Sequence, residues 1–154
     1  MSETLSVTAI KNGTVIDHIT EGQSTRIIHL LSLGSCKNKI TIGLHLPSVR
    51  IGTKDIIKIE DRILSESEAN DIVVFAPKAT INLIENFKVI KKIKTHLPEK
   101  MRDIFICKNP ACITQTEMVA SEFFIQEFSK QVKLLCHYCD QLFNRDELKL
   151  KIFN

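Results

Sequence analysis

The sequence has no tryptophan, one tyrosine, four prolines and five glycines among its 154 residues. No apolar run reaches the roughly 18 residues that a membrane-spanning helix needs. The first residues, MSETLSVTAI, form neither the basic nor the apolar region of a targeting signal. We therefore predict a cytoplasmic protein with no membrane partner, a setting in which structural disulfides are rare.

Signatures of catalysis and of nucleic-acid binding are also missing. The chain has no glycine-rich phosphate loop, no G-x-S-x-G nucleophile turn and no H-E-x-x-H motif. Lys and Arg exceed Asp and Glu only by 21 to 18, an excess too small to indicate a phosphate-backbone footprint. These absences favour a protein that is not an enzyme.

Four of the five cysteines form two close pairs near the C-terminus, Cys107-x4-Cys112 and Cys136-x2-Cys139. Two short turns separated by a longer segment suit one tetrahedral ion held by four thiolates. A redox dithiol would need a C-x-x-C that opens a helix in a βαβ pattern, whereas both pairs follow strand-like stretches, DIFICKN and QVKLLCHYC. We predict one structural zinc ion; a redox pair or unrelated buried thiols are the alternatives.

The size of the C-terminal segment supports the metal. A module of about 55 residues rarely folds by core burial alone, whereas zinc supplies about 10–16 kcal/mol in comparable peptides. Four thiolates close the coordination sphere, so this ion would not be catalytic. We interpret His137 as a turn residue that points away from the ion, and Cys36 as a small, partly buried apolar residue.

The charge of this segment bears on its partner. From Glu99 to Asn154 it carries eight Lys or Arg and eight Asp or Glu residues, whereas a nucleic-acid-binding ribbon is normally basic. We predict a module that docks onto another protein, and a stand-alone zinc ribbon that binds nucleic acid is the alternative. The apolar stretch EFFIQEF fits a docking surface; the competing interpretation is that at least two of its side chains form the module's own core.

The N-terminal part alternates between β-branched runs and two helical stretches. The predicted strands are LSVTAI, GTVIDHI, KITIGLHL, KDIIKIE, ATINLIEN and FKVIKK. The first helix, STRIIHLLSL, ends at Gly34, and the second starts with the capping box of Ser65 and Glu68 and runs to Pro77. We predict an α+β fold with two helices on one face of a mostly antiparallel sheet, followed by a linker, THLPEK.

Polar side chains interrupt these otherwise apolar strands: Asp17, His18, Lys58, Lys88, Lys91, Lys92 and Lys94. Lysines that converge from two strands would form a phosphate site by charge alone. The alternative is a solvated sheet edge, where lysines discourage aggregation. The spacing favours the solvated edge for Lys88, Lys91 and Lys94, and it leaves both interpretations open for Lys58.

The stretches AIKNGTVIDHI, ITIGLHLPS, KDIIKIED, FAPKATINLIENFKV and LPEK, in this order and with the two cysteine pairs, resemble the regulatory chains of aspartate carbamoyltransferase. The resemblance extends from about Val7 to Phe143. It implies a ferredoxin-like allosteric domain over residues 1–96, which binds nucleotide. It also implies a small all-β, rubredoxin-like zinc domain over residues 97–154, and no catalytic residues.

In that family the allosteric domains pair as homodimers and the zinc domains dock onto separate catalytic chains, so that three regulatory dimers bridge two catalytic trimers. CTP inhibits and ATP activates from overlapping positions, and UTP is a further candidate effector. The resemblance therefore implies a role in pyrimidine biosynthesis, with a structural zinc ion in each chain.

The nucleotide site that the resemblance implies consists of Val7, Ala9, Ile10, Val15, Asp17, His18, Lys58, Asn82, Ile84, Val89 and Lys92. Asp17 and His18 would meet the sugar and phosphate side, Lys58 the ribose and Lys92 the phosphates. The others would line the base pocket or pack beside it, and Lys54 is a further candidate. The zinc ligands would be Cys107, Cys112, Cys136 and Cys139, the set that the spacing also predicts.

The sequence departs from the family at three positions. Phe87 stands where enterobacterial members carry tyrosine, so a hydroxyl hydrogen bond near the base is not expected. Gln126 and Phe128 stand where those members carry arginine, and particular ion pairs between chains are not expected there.

Overall fold

The computed structural model describes residues 9–151. The chain divides into two compact units, Met1–His96 and Leu97–Asn154. Among the described residues no helix combines the length and the apolar character that crossing a bilayer requires.

The N-terminal unit is a five-stranded antiparallel sheet with two helices. Its elements are β1 (Gly13–Ile19), α1 (Ser24–Leu30), β2 (Ile40–Ser48), β3 (Gly52–Glu60), α2 (Glu66–Phe75), β4 (Thr80–Glu85) and β5 (Lys88–Ile93). The strand order is β2-β3-β1-β4-β5. Two interleaved βαβ units, β1–α1–β2 and β3–α2–β4, define a ferredoxin-like fold with one added edge strand, and the predicted fold class is confirmed.

One face of this sheet forms the core with the helices. Ile16, Ile57 and Ile81 pair across β1, β3 and β4 and are buried, as are Ile27 of α1 and Phe75 of α2. Truncating one such isoleucine to alanine would cost about 2–5 kcal/mol. Because side chains alternate along a strand, the intervening residues project from the opposite, helix-free face.

The predicted helix start at Ser65 is confirmed. The Ser65 hydroxyl accepts the backbone N–H of Glu68 at 3.1 Å, and the Glu68 carboxylate accepts the backbone N–H of Ser65 at 3.1 Å. This reciprocal pair satisfies two donors at the helix N-terminus that would otherwise lack partners.

The strand predicted over LSVTAI is not found where it can be examined. Residues 5–8 lie outside the described part of the chain, and Ala9 and Ile10 precede β1 without strand pairing. The next two residues form hydrogen bonds to turns and not to a strand partner. The Lys11 carbonyl accepts the N–H of Phe87 at 2.9 Å, and the Asn12 carbonyl accepts the N–H of Asp61 at 3.0 Å.

The C-terminal unit is built mainly of short strands. Its elements are β6 (Lys100–Arg102), β7 (Phe105–Ile106), α3 (Ile113–Thr116), β8 (Glu122–Phe128), β9 (Gln131–Cys136), β10 (Leu142–Asn144), a 3-10 turn (Arg145–Glu147) and β11 (Lys149–Leu150). The strands β10-β9-β8-β6 form one antiparallel sheet and β7 pairs with β11. The predicted small all-β domain is confirmed, with α3 and the 3-10 turn as its helical elements among the described residues.

The core of this unit is small. The rings of Phe105 and Phe123 meet edge to face at 5.9 Å, and Leu134 and Leu148 are buried with them. Of the apolar stretch EFFIQEF, which forms β8, only Phe123 is fully buried, while Phe128 is 47% exposed. Units of this size with a small core are commonly stabilised by a metal ion or another cross-link.

Candidate functional sites

One row of residues crosses the helix-free face of the N-terminal sheet. Lys58 of β3 pairs with Val15 of β1, Val15 pairs with Asn82 of β4, and Asn82 pairs with Lys92 of β5. Residues directly opposite each other in an antiparallel pair project to the same side. The register therefore brings two lysines, an amide and an apolar side chain from four strands to one surface.

A bulge in β1 adds two polar side chains to this face. Ile16 pairs with Ile57 and Ile19 with Asp55, so β1 has one more residue than β3 over this stretch. The extra residue is accommodated at Asp17 and His18, where His18 has φ 55°. Bulges re-aim side chains and recur beside functional sites.

Hydrogen bonds hold the bulged pair in place. The Asp17 carboxylate accepts the backbone N–H of His18 at 2.7 Å. The His18 ring nitrogen Nδ1 lies 3.0 Å from the hydroxyl of Thr80, which pairs with Asp17 across β1 and β4. These contacts position the imidazole beside Thr80 at the border of the row.

The electrostatics of this face are dominated by cations. Burial lowers the pKa of His18, and Lys54, Arg50 and Lys92 lower it further, whereas Asp17 opposes the shift. A neutral imidazole surrounded by ammonium and guanidinium groups marks a positive potential, which attracts anions.

Lys58 and Asp17 occupy the partly covered centre of this cluster. Lys58 is only 8% exposed, and this burial lowers its pKa, which Asp17 partly offsets. Asp17 also forms an ion pair with Lys54 at 2.9 Å. The Asp17 carboxylate thus acts on two ammonium groups, and the cations that lower the pKa of His18 give this face a positive potential that favours an anionic ligand.

The Asn82 side chain has an unmet hydrogen-bonding requirement. Its Oδ1 atom is buried and has no hydrogen-bond partner within residues 9–151. Buried polar atoms in native proteins are nearly always paired, so this oxygen is suited to a donor supplied by a ligand. Apolar residues on the same face are Val15, which pairs with Asn82 itself, and Ile84, which pairs with Val89.

The remaining predicted residues lie at the margins of this surface or outside it. Ala9 is exposed and Ile10 is buried just before β1, and Val7 lies outside the described residues. Lys88 and Lys91 are exposed on β5, the edge strand, and Lys91 pairs with Leu83 and so projects from the other face. Lys91 is therefore exposed to solvent at the edge of the sheet and away from the row, as the solvated-edge interpretation expects.

The sequence reasoning missed Thr80 as a partner of His18 and Arg50 as a nearby cation. Thr80 could have been found, because it lies two residues before Asn82 on the same strand and the side-chain period of a strand is two. Arg50 lies between β2 and β3, where no periodic pattern indicates which way a side chain points.

The four paired cysteines converge in the C-terminal unit. Their sulfur atoms all lie within 4.8 Å of one another, with Cys107 and Cys139 at 3.7 Å and Cys112 and Cys136 at 3.8 Å. Four thiolates bound tetrahedrally at about 2.3 Å have sulfur–sulfur edges of about 3.8 Å. The donor set and its dimensions therefore fit one tetrahedral metal ion, as the spacing predicts.

Backbone turns shape both cysteine loops. In the first loop the Asn109 carbonyl accepts the N–H of Cys112 at 3.0 Å, and in the second the Cys136 carbonyl accepts the N–H of Asp140 at 3.0 Å. Burial raises the pKa of Cys107 and of Cys136. Holding these sulfurs as thiolates requires a compensating positive charge, which a bound metal ion supplies.

His137 and Cys36 do not join this centre. The His137 ring packs against Phe124 at 5.5 Å and Tyr138 at 5.1 Å, and the residue is exposed. Cys36 is half-buried in the other unit, where its thiol lies 3.2 Å from the Leu33 carbonyl. Among the described residues the metal-binding group consists of the two cysteine pairs.

Comparison with known proteins gives consistent matches over both units. Residues 5–96 match the family model of the aspartate carbamoyltransferase regulatory chain, allosteric domain, and residues 99–149 match that of the metal binding domain of the same chain. The aspartate carbamoyltransferase regulatory chain of Chromobacterium violaceum is 44% identical over 146 residues, which cover 95% of this chain and 96% of that protein. The regulatory chain of Vibrio cholerae is 44% identical over 142 residues, 92% of each chain.

Proposed function

The chain belongs to the aspartate carbamoyltransferase regulatory chain family, and from this premise we propose that it is a non-catalytic allosteric subunit that binds CTP as inhibitor and ATP as activator. The nucleotides occupy overlapping positions on the helix-free face of the N-terminal sheet. The C-terminal unit, folded around a zinc ion, docks onto a separate catalytic chain.

The observation that carries the nucleotide proposal is the pairing of Asn82 with Lys92. The buried Asn82 oxygen, which has no hydrogen-bond partner among the described residues, is suited to the exocyclic amino group that cytosine and adenine both carry. The exposed Lys92 ammonium, with Lys58 and His18 on the same face, is suited to the ribose and phosphates. An amino-bearing base joined to a polyanion would satisfy both requirements at once.

The other predicted residues complete the proposed site. Val15, Ile84 and Val89 provide apolar contacts beside the base, and Ala9 and Ile10 border it through the segment before β1. Asp17 accepts hydrogen bonds on the sugar side and restrains Lys54 through their ion pair at 2.9 Å. Because Phe87 has no hydroxyl, base selection depends on Asn82 and on backbone groups.

The metal proposal assigns the four sulfurs to one zinc ion per chain. Cys107, Cys112, Cys136 and Cys139 would hold it, and it would supply positive charge and a covalent-strength cross-link to a unit with a small core. With all four positions taken by sulfur, the protein residues leave no place for a substrate. The ion is therefore structural, and carbamoyl transfer takes place on the partner chain.

Exposed apolar side chains support docking by the C-terminal unit. Ile113 directly follows Cys112, Tyr138 lies between Cys136 and Cys139, and both are at least 40% exposed. Met118 and Leu142 are exposed nearby in sequence. Exposed apolar groups on and beside the metal-bearing loops are suited to a protein-contact surface, and they link metal binding to assembly.

The edge strand β2 supports homodimer formation by the N-terminal unit. β2 pairs only with β3 within residues 9–151, and its Ile42 and Leu44 side chains are 42% and 50% exposed. An edge with exposed apolar residues is suited to pairing with a second chain. Dimers made in this way would join catalytic trimers, with three dimers between two trimers.

Regulation then follows from differential binding. A nucleotide shifts the assembly only to the extent that its affinity differs between the low-activity and the high-activity state. Coupling of this type is usually about 1–3 kcal/mol. CTP would bind the low-activity state more tightly and ATP the high-activity state.

Size-exclusion chromatography of native lysate tests the assembly. We expect this chain to co-elute with aspartate carbamoyltransferase activity at a mass well above that of a catalytic trimer. Elution of the activity as a free trimer, at protein concentrations that preserve known complexes of this type, would contradict the proposed assembly.

A further inference from the structure

The two threonines of α3 use their hydroxyl groups differently. Thr116 donates to the Ile113 carbonyl at 3.4 Å, the ordinary local bond of a helical threonine. Thr114 instead donates to the sulfur of Cys112 at 3.1 Å. In this short helix the Thr116 hydroxyl therefore donates to the backbone, whereas the Thr114 hydroxyl donates to a predicted metal ligand.

Cys112 receives a hydrogen bond from a side-chain hydroxyl, whereas each of the other three sulfurs receives at least one from the backbone. Cys107 receives a backbone hydrogen bond from Asn109, Cys136 receives two from the second cysteine loop, and Cys139 receives one from Gln141 together with a side-chain bond from Asn109. Backbone donors persist whatever the side chain is. The donor that Thr114 gives to the Cys112 sulfur is a side-chain hydroxyl, so substitution can remove it.

A second contact from α3 reaches the other end of the first cysteine loop. The Gln115 side-chain amide donates to the Cys107 carbonyl. Thr114 and Gln115 also line a small cavity of about 130 Å³ beside Phe105 and Cys107. The helix that follows Cys112 therefore contacts both cysteines of the first pair.

We propose that Thr114 is a positioning residue of the metal centre, which holds the Cys112 sulfur on the ion and slows its release. This inference rests on the four-sulfur metal site of the proposed function. A hydrogen bond to a bound thiolate fixes its orientation and lowers its basicity, so that protonation of the sulfur, which would release it from the ion, becomes less favourable. Cys112 becomes the first sulfur to leave the ion when that hydroxyl is removed.

The test compares a matched set of variants of the full chain, each loaded with cobalt(II) in place of zinc. The sulfur-to-cobalt charge-transfer band reports the electron density on the bound sulfurs. Thr114→Val keeps the shape of threonine and removes the hydroxyl, Thr114→Ser keeps the hydroxyl, and Thr116→Val removes a hydroxyl from the same helix without touching sulfur. We expect the band to move to longer wavelength in Thr114→Val alone. Zinc transfer to a chelator should be about 10-fold faster in Thr114→Val, and unchanged in the other two.

Each outcome bears on one proposal. Equal spectra and equal zinc-release rates for Thr114→Val and Thr116→Val would overturn the role of Thr114, while leaving the metal site in place. If Thr114→Val does not fold, Thr114→Ala and Thr114→Ser replace it, and a band position that does not depend on the hydroxyl would again overturn the inference. A wild-type chain without any sulfur-to-cobalt band would instead contradict the metal site itself.

Discussion

Asn82 and Lys92 lie opposite each other across β4 and β5, and their side chains leave the same face of the sheet. One contributes a buried oxygen without a hydrogen-bond partner among the described residues, and the other an exposed cation. The two groups require different things of a ligand, a hydrogen-bond donor and a negative charge. This difference makes the proposed nucleotide site testable one group at a time.

Replacing Lys92 with alanine should weaken CTP binding by about 10- to 100-fold, because a charge-assisted bond to phosphate contributes about 1.5–3 kcal/mol. Lys91→Ala is the matched control, since Lys91 is adjacent on β5, also exposed and directed to the other face. Calorimetric titration at physiological salt measures both affinities. Equal losses in the two variants would show that the lysines act only through general charge.

Replacing Asn82 with alanine should lower the affinity for CTP by about 10-fold and leave that for UTP nearly unchanged. The amide oxygen accepts a hydrogen bond from the amino group of cytosine, which uracil lacks, so only one nucleotide loses a contact. The measurement is a competition titration of both nucleotides on wild type and variant. Parallel losses for CTP and UTP would contradict the proposed contact with the base.

CTP affinity should rise as the pH falls from 8 toward 6. In the free chain the pKa of His18 is lowered, first by burial and then by nearby cations, so the ring is neutral at pH 7. A bound polyphosphate favours the protonated ring and raises its pKa, so binding takes up a proton. Titrations at three pH values should give a smaller pH dependence in His18→Gln than in wild type and in His29→Gln. The same slope in all three would exclude contact between His18 and phosphate.

Asp71→Asn should stabilise the chain at pH 7. Burial, followed by the charge of Glu68, raises the pKa of Asp71 to about 6. The folded state therefore binds the proton more tightly than the unfolded state. The ionised carboxylate destabilises the fold increasingly as the pH rises from the unfolded pKa to about 6, and this destabilisation is fully developed above that pH. The gain should be about 1 kcal/mol at pH 7, because partial exposure screens the effect. It should shrink as the pH falls through 6 toward the unfolded pKa.

Denaturant unfolding between pH 5 and 8, with zinc present, measures this effect. Asp61→Asn serves as the control, since Asp61 is exposed in the turn after β3. A stability difference between wild type and Asp71→Asn that does not change with pH would show that the gain does not arise from ionisation.

Local sequence signals were sufficient for several parts of the fold. The capping box of Ser65 and Glu68 marks the start of α2 because its two hydrogen bonds join residues only three positions apart. The cysteine spacing likewise specifies two tight turns, and the four sulfurs do converge. The row through Val15, Asn82 and Lys92 needs pairing information, which periodicity alone does not supply.

Other parts of the site could not be read from local pattern. The bulge at Asp17 and His18 places a non-glycine residue at φ 55°, a conformation that L-residues avoid unless the surrounding structure imposes it. The ion pair of Asp17 with Lys54 joins β1 to β3, two strands that are not adjacent in the sequence. The LSVTAI pattern has strand propensity, yet at Ala9 and Ile10 the chain has no strand pairing.

The central claim is that CTP bound on the helix-free face of the N-terminal sheet controls a catalytic chain that is docked on the C-terminal unit. The most direct test is to measure the aspartate carbamoyltransferase activity of the assembled complex as CTP is added. We expect CTP to inhibit complexes that contain the wild-type chain or Lys91→Ala. Inhibition should be lost at the same CTP concentrations with Lys92→Ala, and the isolated catalytic trimer should be insensitive. An intact complex whose activity stays constant up to saturating CTP would contradict the account.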